Sequence, residues 1–180
     1  MLSEKELYQQ CVAGNRSAQK ELFDRFSPKL LGICFRYSRS LEEAEDVLQD
    51  AFIRIFNYLP TYKNDGSLDA WLRRITVNTA LNNIKHNHHI YDEMNLETAM
   101  DVQSDLDKSM DNYDSKLIWD SVQQLPEGYR IILNMHTIEG YSHKEIAEHL
   151  KIAEGTSRSQ LMRAKQLLEE LLKQNDIFVK

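Results

Sequence analysis

An all-α chain of two small helical domains joined by a flexible acidic linker is the fold class the sequence predicts, on three observations. Apolar residues recur at helical spacing on both sides of a central break, and strand-like alternation is absent. Periodicity lapses over residues 86–114, where acidic and amide residues dominate with scattered methionines. The 180 residues suffice for one ordinary domain or two small ones.

The elements follow in order. Ser3-x-x-Glu6 has the spacing of a capping box and opens a first helix through about Val12, broken by Gly14 and Asn15. Ser17 starts a longer run with Leu22, Phe26, Leu30, Ile33 and Cys34 in phase, and Pro28 inside it should kink or restart the helix. A second capping box, Ser40-x-x-Glu43, begins a helix that carries Ala44, Leu48, Ala51 and Ile55 inward and ends near Leu59-Pro60. The loop from Thr61 to Gly66 follows, and Ser67 caps a helix from Leu68 to about Lys85. Order returns with Leu117, Ile118, Val122 and Leu125; Pro126 then opens a helix that stops at Gly140. Two short helices and a long one complete the chain.

Composition narrows the function classes. At 42% hydrophobic and 28% charged, the chain has the balance of a soluble globular protein. No apolar run approaches the roughly 20 residues that span a bilayer. The opening Met1-Leu2-Ser3-Glu4-Lys5-Glu6 lacks the layout of a secretory signal, so a cytoplasmic protein is expected. Cys11 and Cys34 sit in amphipathic patterns and read as reduced core residues rather than a disulfide. No cofactor, small-molecule substrate or metal is expected. His86, His88, His89 and Asp92 form no complete ligand set, and His143, Glu145 and His149 miss the spacing of a zinc-protease helix. With no nucleophile–base pattern either, the chain does not read as an enzyme.

The net charge of −6 argues against nucleic acid until its distribution is read. Residues 1–91 carry 12 Lys/Arg against 11 Asp/Glu, and residues 115–180 carry 9 against 9. Residues 92–114 carry eight acids against Lys108 alone, so the acidity lies in one segment. Neither half has the strong positive excess of a free-standing DNA binder, so DNA contact should be weak without a larger partner. As a flexible coil the 23-residue tether spans about 26 Å. Fully extended it reaches about 75 Å. Sites up to about two helical turns of DNA apart are within that range.

The sharpest local signal runs from Tyr141 to Thr156. Ser142 can cap a short helix that buries Ile146, Ala147 and Leu150, Ile152 plugs the turn, and a second helix begins near Glu154. That second helix turns Leu161, Ala164, Leu168 and Leu171 inward and leaves Arg158, Ser159, Met162, Arg163 and Lys165 outward. This is a helix-turn-helix with polar residues where a major groove requires donors.

The second half carries Leu125-Pro126-Glu127-Gly128-Tyr129-Arg130, Glu139-Gly140-Tyr141-Ser142-x-x-Glu145-Ile146-Ala147, and Gly155-Thr156-Ser157-Arg158-Ser159-x-Leu161-x-Arg163-Ala164-Lys165. These three stretches resemble region four of the sigma-70 family of bacterial RNA polymerase sigma factors. Upstream, the run from Ala44 to Phe56 resembles the polymerase-docking helix of region two, and Trp71-Leu72-x-Arg74-Ile75-x-x-Asn78-Thr79-Ala80 its promoter-melting helix. Both modules stand in the family's order with no third domain between, the arrangement of the extracytoplasmic-function (ECF) type. Lys151 stands where the family often has a turn glycine, Ala153 where a capping serine is frequent, Ser157 where a buried valine is common, and Asn82 where an aspartate is usual.

The resemblance implies region two at 1–91, a flexible acidic linker at 92–114 and region four at 115–180. It implies docking on core RNA polymerase through Glu45, Asp46, Gln49 and Asp50. It implies minus-ten recognition by Asn64, Asp65, Ser67, Trp71, Arg74 and Asn78, in which a loop and helix hold an extruded base. It implies minus-thirty-five recognition by Thr156, Arg158, Ser159, Gln160, Arg163 and Lys165. The expected partners are core polymerase, promoter DNA and an anti-sigma factor, with the free chain a monomer. The acidic tether would thread the polymerase's basic cleft as a nucleic-acid mimic, or serve as plain linker. The alternative is a stand-alone helix-turn-helix regulator, which explains residues 115–175 and leaves the Ala44–Asn83 pattern without a role.

Overall fold

Capping side chains set where most of the helices begin. The computed structural model describes residues 2–63, 66–91, 118 and 120–174. Among them every regular element is helical. The chain divides into two compact units, Met1–Leu96 and Glu97–Lys180. The acidic stretch 92–114 lies outside the described residues.

In the upstream unit, α1 (Glu4–Val12) opens on the expected capping box: Ser3 Oγ accepts from the Glu6 amide while the Glu6 carboxylate accepts from the Ser3 amide. The chain reverses at Gly14, whose φ of +81° suits a residue without Cβ. Asn15, not Ser17, then caps α2 (Arg16–Tyr37), its Oδ1 accepting from Ser17 N at 2.9 Å and Ala18 N at 3.2 Å.

Pro28 does not restart α2, which continues as one helix to Tyr37. A helix-interior proline costs about 3 kcal/mol. Leu22 and Leu30 on either side are fully buried, each stabilising by about 1.5–3 kcal/mol, which offsets that cost and keeps both halves helical.

Ser40 Oγ accepts from Glu43 N at 3.2 Å and opens α3 (Leu41–Tyr58). Here the reciprocal arm of the expected box reaches one residue further back, to the Arg39 amide. A single 3₁₀ turn, Leu59–Thr61, leads to the loop. α4 (Leu68–Tyr91) is capped by Ser67 Oγ, 3.1 Å from Ala70 N, and outruns the expected stop at Lys85 because neither glycine nor proline interrupts 86–91. α2, α3 and α4 pack against one another and α1 against α2, around Leu7, Leu22, Ile33, Ile55, Leu72 and Leu81. An ion pair from Lys29 Nζ to both carboxylate oxygens of Asp69, at 2.7 and 2.8 Å, ties α2 to the start of α4.

In the downstream unit the first described residues, 118 and 120–123, are helical, and Pro126 precedes α5 (Glu127–Leu133). The single helix expected up to Gly140 is two pieces: after Leu133 the backbone widens into a π-helical turn, Asn134–Ile138, which tucks Asn134 and Met135 fully inside. Gly140, at φ +79°, ends it. Ser142 and Glu145 form the capping box of α6 (His143–Leu150), whose Ile146 is fully buried. The turn passes through Lys151 in the left-handed region, φ 56° and ψ 42°, where the family's glycine would have been free of strain. α7 (Glu154–Gln174) packs against α5 and α6 through Leu161, Ala164 and Leu172.

Candidate functional site

Packing of α3 decides which of its residues are available to a partner. Ala44, Val47, Leu48, Ala51 and Ile55 face inward, which turns Glu45, Asp46, Gln49 and Asp50 together onto the exposed face. Among the described residues no cation pairs with Glu45, Asp46 or Asp50. Ile53 lies in phase with Asp46, Gln49 and Asp50 and is 59% exposed. The spacing i, i+3, i+4, i+7 from Asp46 is the signal that places Ile53 on this face, masked in the sequence by the polar residues around it. The face therefore offers carboxylates around one aliphatic side chain, a surface suited to a basic partner with an apolar notch.

The loop between α3 and α4 is pinned at both ends. Tyr62 is buried with its ring edge-on to Tyr8, 5.3 Å between centroids, and 5.3 Å from the ring of Trp71. Its hydroxyl donates to the Gly66 carbonyl, and the Tyr8 hydroxyl donates to the Tyr62 carbonyl at 3.1 Å. Ser67 is exposed, with its hydroxyl engaged as the α4 cap. Asn64 and Asp65 lie outside the described residues. Along α4, Arg74 is exposed, while Trp71, Arg73 and Asn78 are half-buried. Trp71 thus has one side in the Tyr8–Tyr62 aromatic cluster and the rest at the surface.

On α7, Arg158, Ser159, Arg163 and Lys165 are exposed, and Met162, 56% exposed, stands among them. Arg158 pairs with Glu154 one turn back. An exposed pair of this kind contributes about 0.3–0.5 kcal/mol, so Arg158 leaves it at little cost. The Ser159 hydroxyl donates to the Thr156 carbonyl at 3.0 Å, and Thr156 is half-buried. Gln160 is placed differently from the arginines: half-buried, with its Oε1 within 3.8 Å of where a Cβ on Gly128 of α5 would stand. Ser157 is fully buried and bonds across to His143, a contact the sequence did not reveal.

Among the described residues no cluster of three or more His, Cys, Asp or Glu could hold a metal, and no helix is long and apolar enough to cross a membrane.

Two families match, in order along the chain: Sigma-70 region 2 over residues 22–89 and Sigma-70 region 4 over residues 115–168. An ECF RNA polymerase sigma factor SigM of Mycobacterium tuberculosis is 31% identical over 170 residues, covering 94% of this chain and 85% of that protein. The RNA polymerase sigma-H factor of Pseudomonas aeruginosa is 27% identical over 180 residues, covering 94% of this chain and 93% of that protein. Among solved structures, the sigma factor RpoE, crystallised with the anti-sigma factor NepR from Bartonella quintana, shares the fold at a TM-score of 0.55 and 23% identity. That match covers 86% of this chain and 96% of RpoE. CnrH in complex with the cytosolic domain of CnrY matches at a TM-score of 0.50 and 20% identity, over 94% of this chain and 97% of that one.

Proposed function

The chain belongs to the sigma-70 family, as an RNA polymerase sigma factor of the ECF type, and from that premise we propose how its two units divide the work. It binds core RNA polymerase and directs promoter-specific initiation by reading minus-ten and minus-thirty-five elements. It is a transcription initiation factor, working in the cytoplasm, and an anti-sigma factor holds it in reserve, as the complexes of RpoE and CnrH suggest by analogy.

The observation that carries this division is the exposed acidic face of α3. Glu45, Asp46, Gln49, Asp50 and Ile53 dock on a basic surface of the polymerase, with the carboxylates steering and fixing register and Ile53 supplying apolar burial. Residues 1–91 act as the docking and melting module. The loop anchored at Tyr62 and Gly66, with Asn64, Asp65 and Ser67, receives a minus-ten base, while Trp71, Arg74 and Asn78 line the helix beneath. Extruding a base costs a few kcal/mol, and a loop already held at its ends spends less of its binding energy on ordering itself.

Residues 115–180 read the minus-thirty-five element through α7. Arg158 and Arg163 are its principal readers, with Thr156, Ser159, Gln160 and Lys165 on the same helix assisting. An arginine bidentate on guanine discriminates by about 1–3 kcal/mol, and a phosphate contact by none. The segment 92–114 links the two modules within the polymerase. A stand-alone operator binder would use α6 and α7 and leave the α3 face idle.

The test is charge reversal on that face. D46K/D50K should abolish co-elution with core polymerase while circular dichroism and the melting profile stay as in the parent, since both positions are exposed and pair with no cation among the described residues. Undiminished co-elution of the double variant would remove α3 from the docking surface.

A further inference from the structure

A part-buried polar contact joins α6 to α7. Ser157, in the first turns of α7, is 0% exposed, and its Oγ lies 2.9 Å from Nδ1 of His143, the first residue of α6. The His143 ring also stacks on His136 of the π-helical turn, with centroids 4.5 Å apart and planes at 27°. Three segments thus converge on one imidazole. The neighbours of Ser157 along α7 are Thr156, Arg158 and Ser159, so the contact lies directly beneath the face assigned to the upstream promoter element.

We infer that His143 is a positioning residue for promoter reading: through the buried Ser157 hydroxyl it sets the first turns of α7 against α6, and so the placement of Arg158. The inference rests on the sigma reading of the downstream unit. A buried hydroxyl that loses its partner costs more than the bond contributed, so α7 is held in the register that keeps the pair together.

The same geometry makes the junction sensitive to mild acid. In the neutral tautomer whose Nδ1 accepts, the Ser157 hydroxyl donates to it; protonation makes both ring nitrogens donors and forces the bond to reverse. The charged and titratable groups facing the ring are His136 from the π-helical turn and Glu154, Arg158 and Lys165 from α7. Partial burial and the neighbouring His136 hold the His143 pKa below the ordinary histidine value, Arg158 and Lys165 push it the same way, and Glu154 opposes them. A base whose pKa is depressed on folding favours the fold in its neutral form. That contribution is complete above the unfolded value of about 6.5 and is lost as pH falls toward the folded one.

The experiment uses the full chain with core polymerase, and two templates: a promoter selected by this protein and the same promoter with its upstream element scrambled. The ratio of run-off products from the two isolates upstream reading. The wild-type ratio should fall about twofold or more between about pH 7.5 and about pH 5.5, most of it below about pH 6.5, where a histidine of depressed pKa takes up its proton. H143F leaves the Ser157 hydroxyl unpartnered and should lower the ratio at both pH values. H143F/S157V removes both partners together and should recover much of the loss and abolish the response to pH. A flat wild-type ratio, or an equal fall in the double variant, would overturn the inference. Nitrogen NMR of the free full chain reads the contact without any transcription. S157V should change the His143 Nδ1 shift, and H136F should raise the pH at which His143 titrates. His143 signals indifferent to both substitutions also overturn it. A chain that fails in transcription yet shows both NMR responses would contradict the sigma reading and leave the α6–α7 contact standing.

Discussion

Replacing Lys151 by glycine should stabilise the helix-turn-helix, and its size follows from one backbone conformation. Lys151 stands at φ 56° and ψ 42°, exposed, its amide donating to the Ala147 carbonyl. A residue with Cβ in this region costs about 1–2 kcal/mol. Glycine removes that cost but adds freedom to the unfolded chain, returning about 0.4–1 kcal/mol. The cap hydrogen bond is made by the backbone and survives the change, and no ion pair of Lys151 is lost among the described residues. The net gain is about 0.5–1 kcal/mol, or about 3–6 °C in the melting of a unit this size. Hydrogen exchange on the full chain resolves it from the upstream unit: amides of α6 and α7 should exchange about 2–5-fold more slowly, while those of α2 and α3 stay unchanged. K151A is the control; it keeps Cβ and should bring no such gain. No gain from K151G, or an equal one from K151A, would refute the argument from the left-handed turn.

Three further outcomes follow from burial and exposure. Ile55 is fully buried between α3 and its neighbours, so I55A should destabilise the upstream unit by about 2–5 kcal/mol in urea titration, with α6 and α7 exchanging as before. Burial pushes the Cys34 thiol up to about 12, and the Cys11 thiol is also raised by burial. Both should resist a thiol reagent near pH 8 until the protein unfolds, and, because a raised pKa favours the fold only while the thiol is protonated, the upstream unit should lose stability as pH climbs above about 9. R158A and R163A should each relax specificity at one promoter position by about 1–3 kcal/mol; a variant that instead weakens all sequences alike and shallows the salt dependence would mark its arginine as a phosphate contact.

What was legible in the sequence is what depends on local chemistry. Ser3, Ser40, Ser67 and Ser142 are caps because a hydroxyl at that offset reaches an amide inside its own first turn. The strain at Lys151 could be expected because the turn demands a left-handed residue whatever occupies it. The outer face of α3 could be read from helical phase alone, apart from Ile53, an apolar residue on a polar face that an amphipathic pattern hides.

Features set by tertiary packing were not legible. The continuity of α2 across Pro28 goes with the burial of Leu22 and Leu30 on either side, which offsets the local cost behind the expected restart. The π-helical turn at Asn134–Ile138 follows from burying Asn134 and Met135 together, and periodicity does not report it. The approach of the Gln160 amide to Gly128 of α5 depends on a helix more than thirty residues away, which helical phase within α7 does not report. Ser157 and His143 are distant enough in sequence that only the crossing of α6 and α7 pairs them.

The most direct test of the central claim is run-off transcription with purified chain, bacterial core polymerase and a duplex library of randomised promoters. A sigma factor built as described should enrich a two-part motif, one element for each unit, only when the chain is present. No transcript dependent on the chain, with a folded sample and the polymerase of its own host, would contradict it.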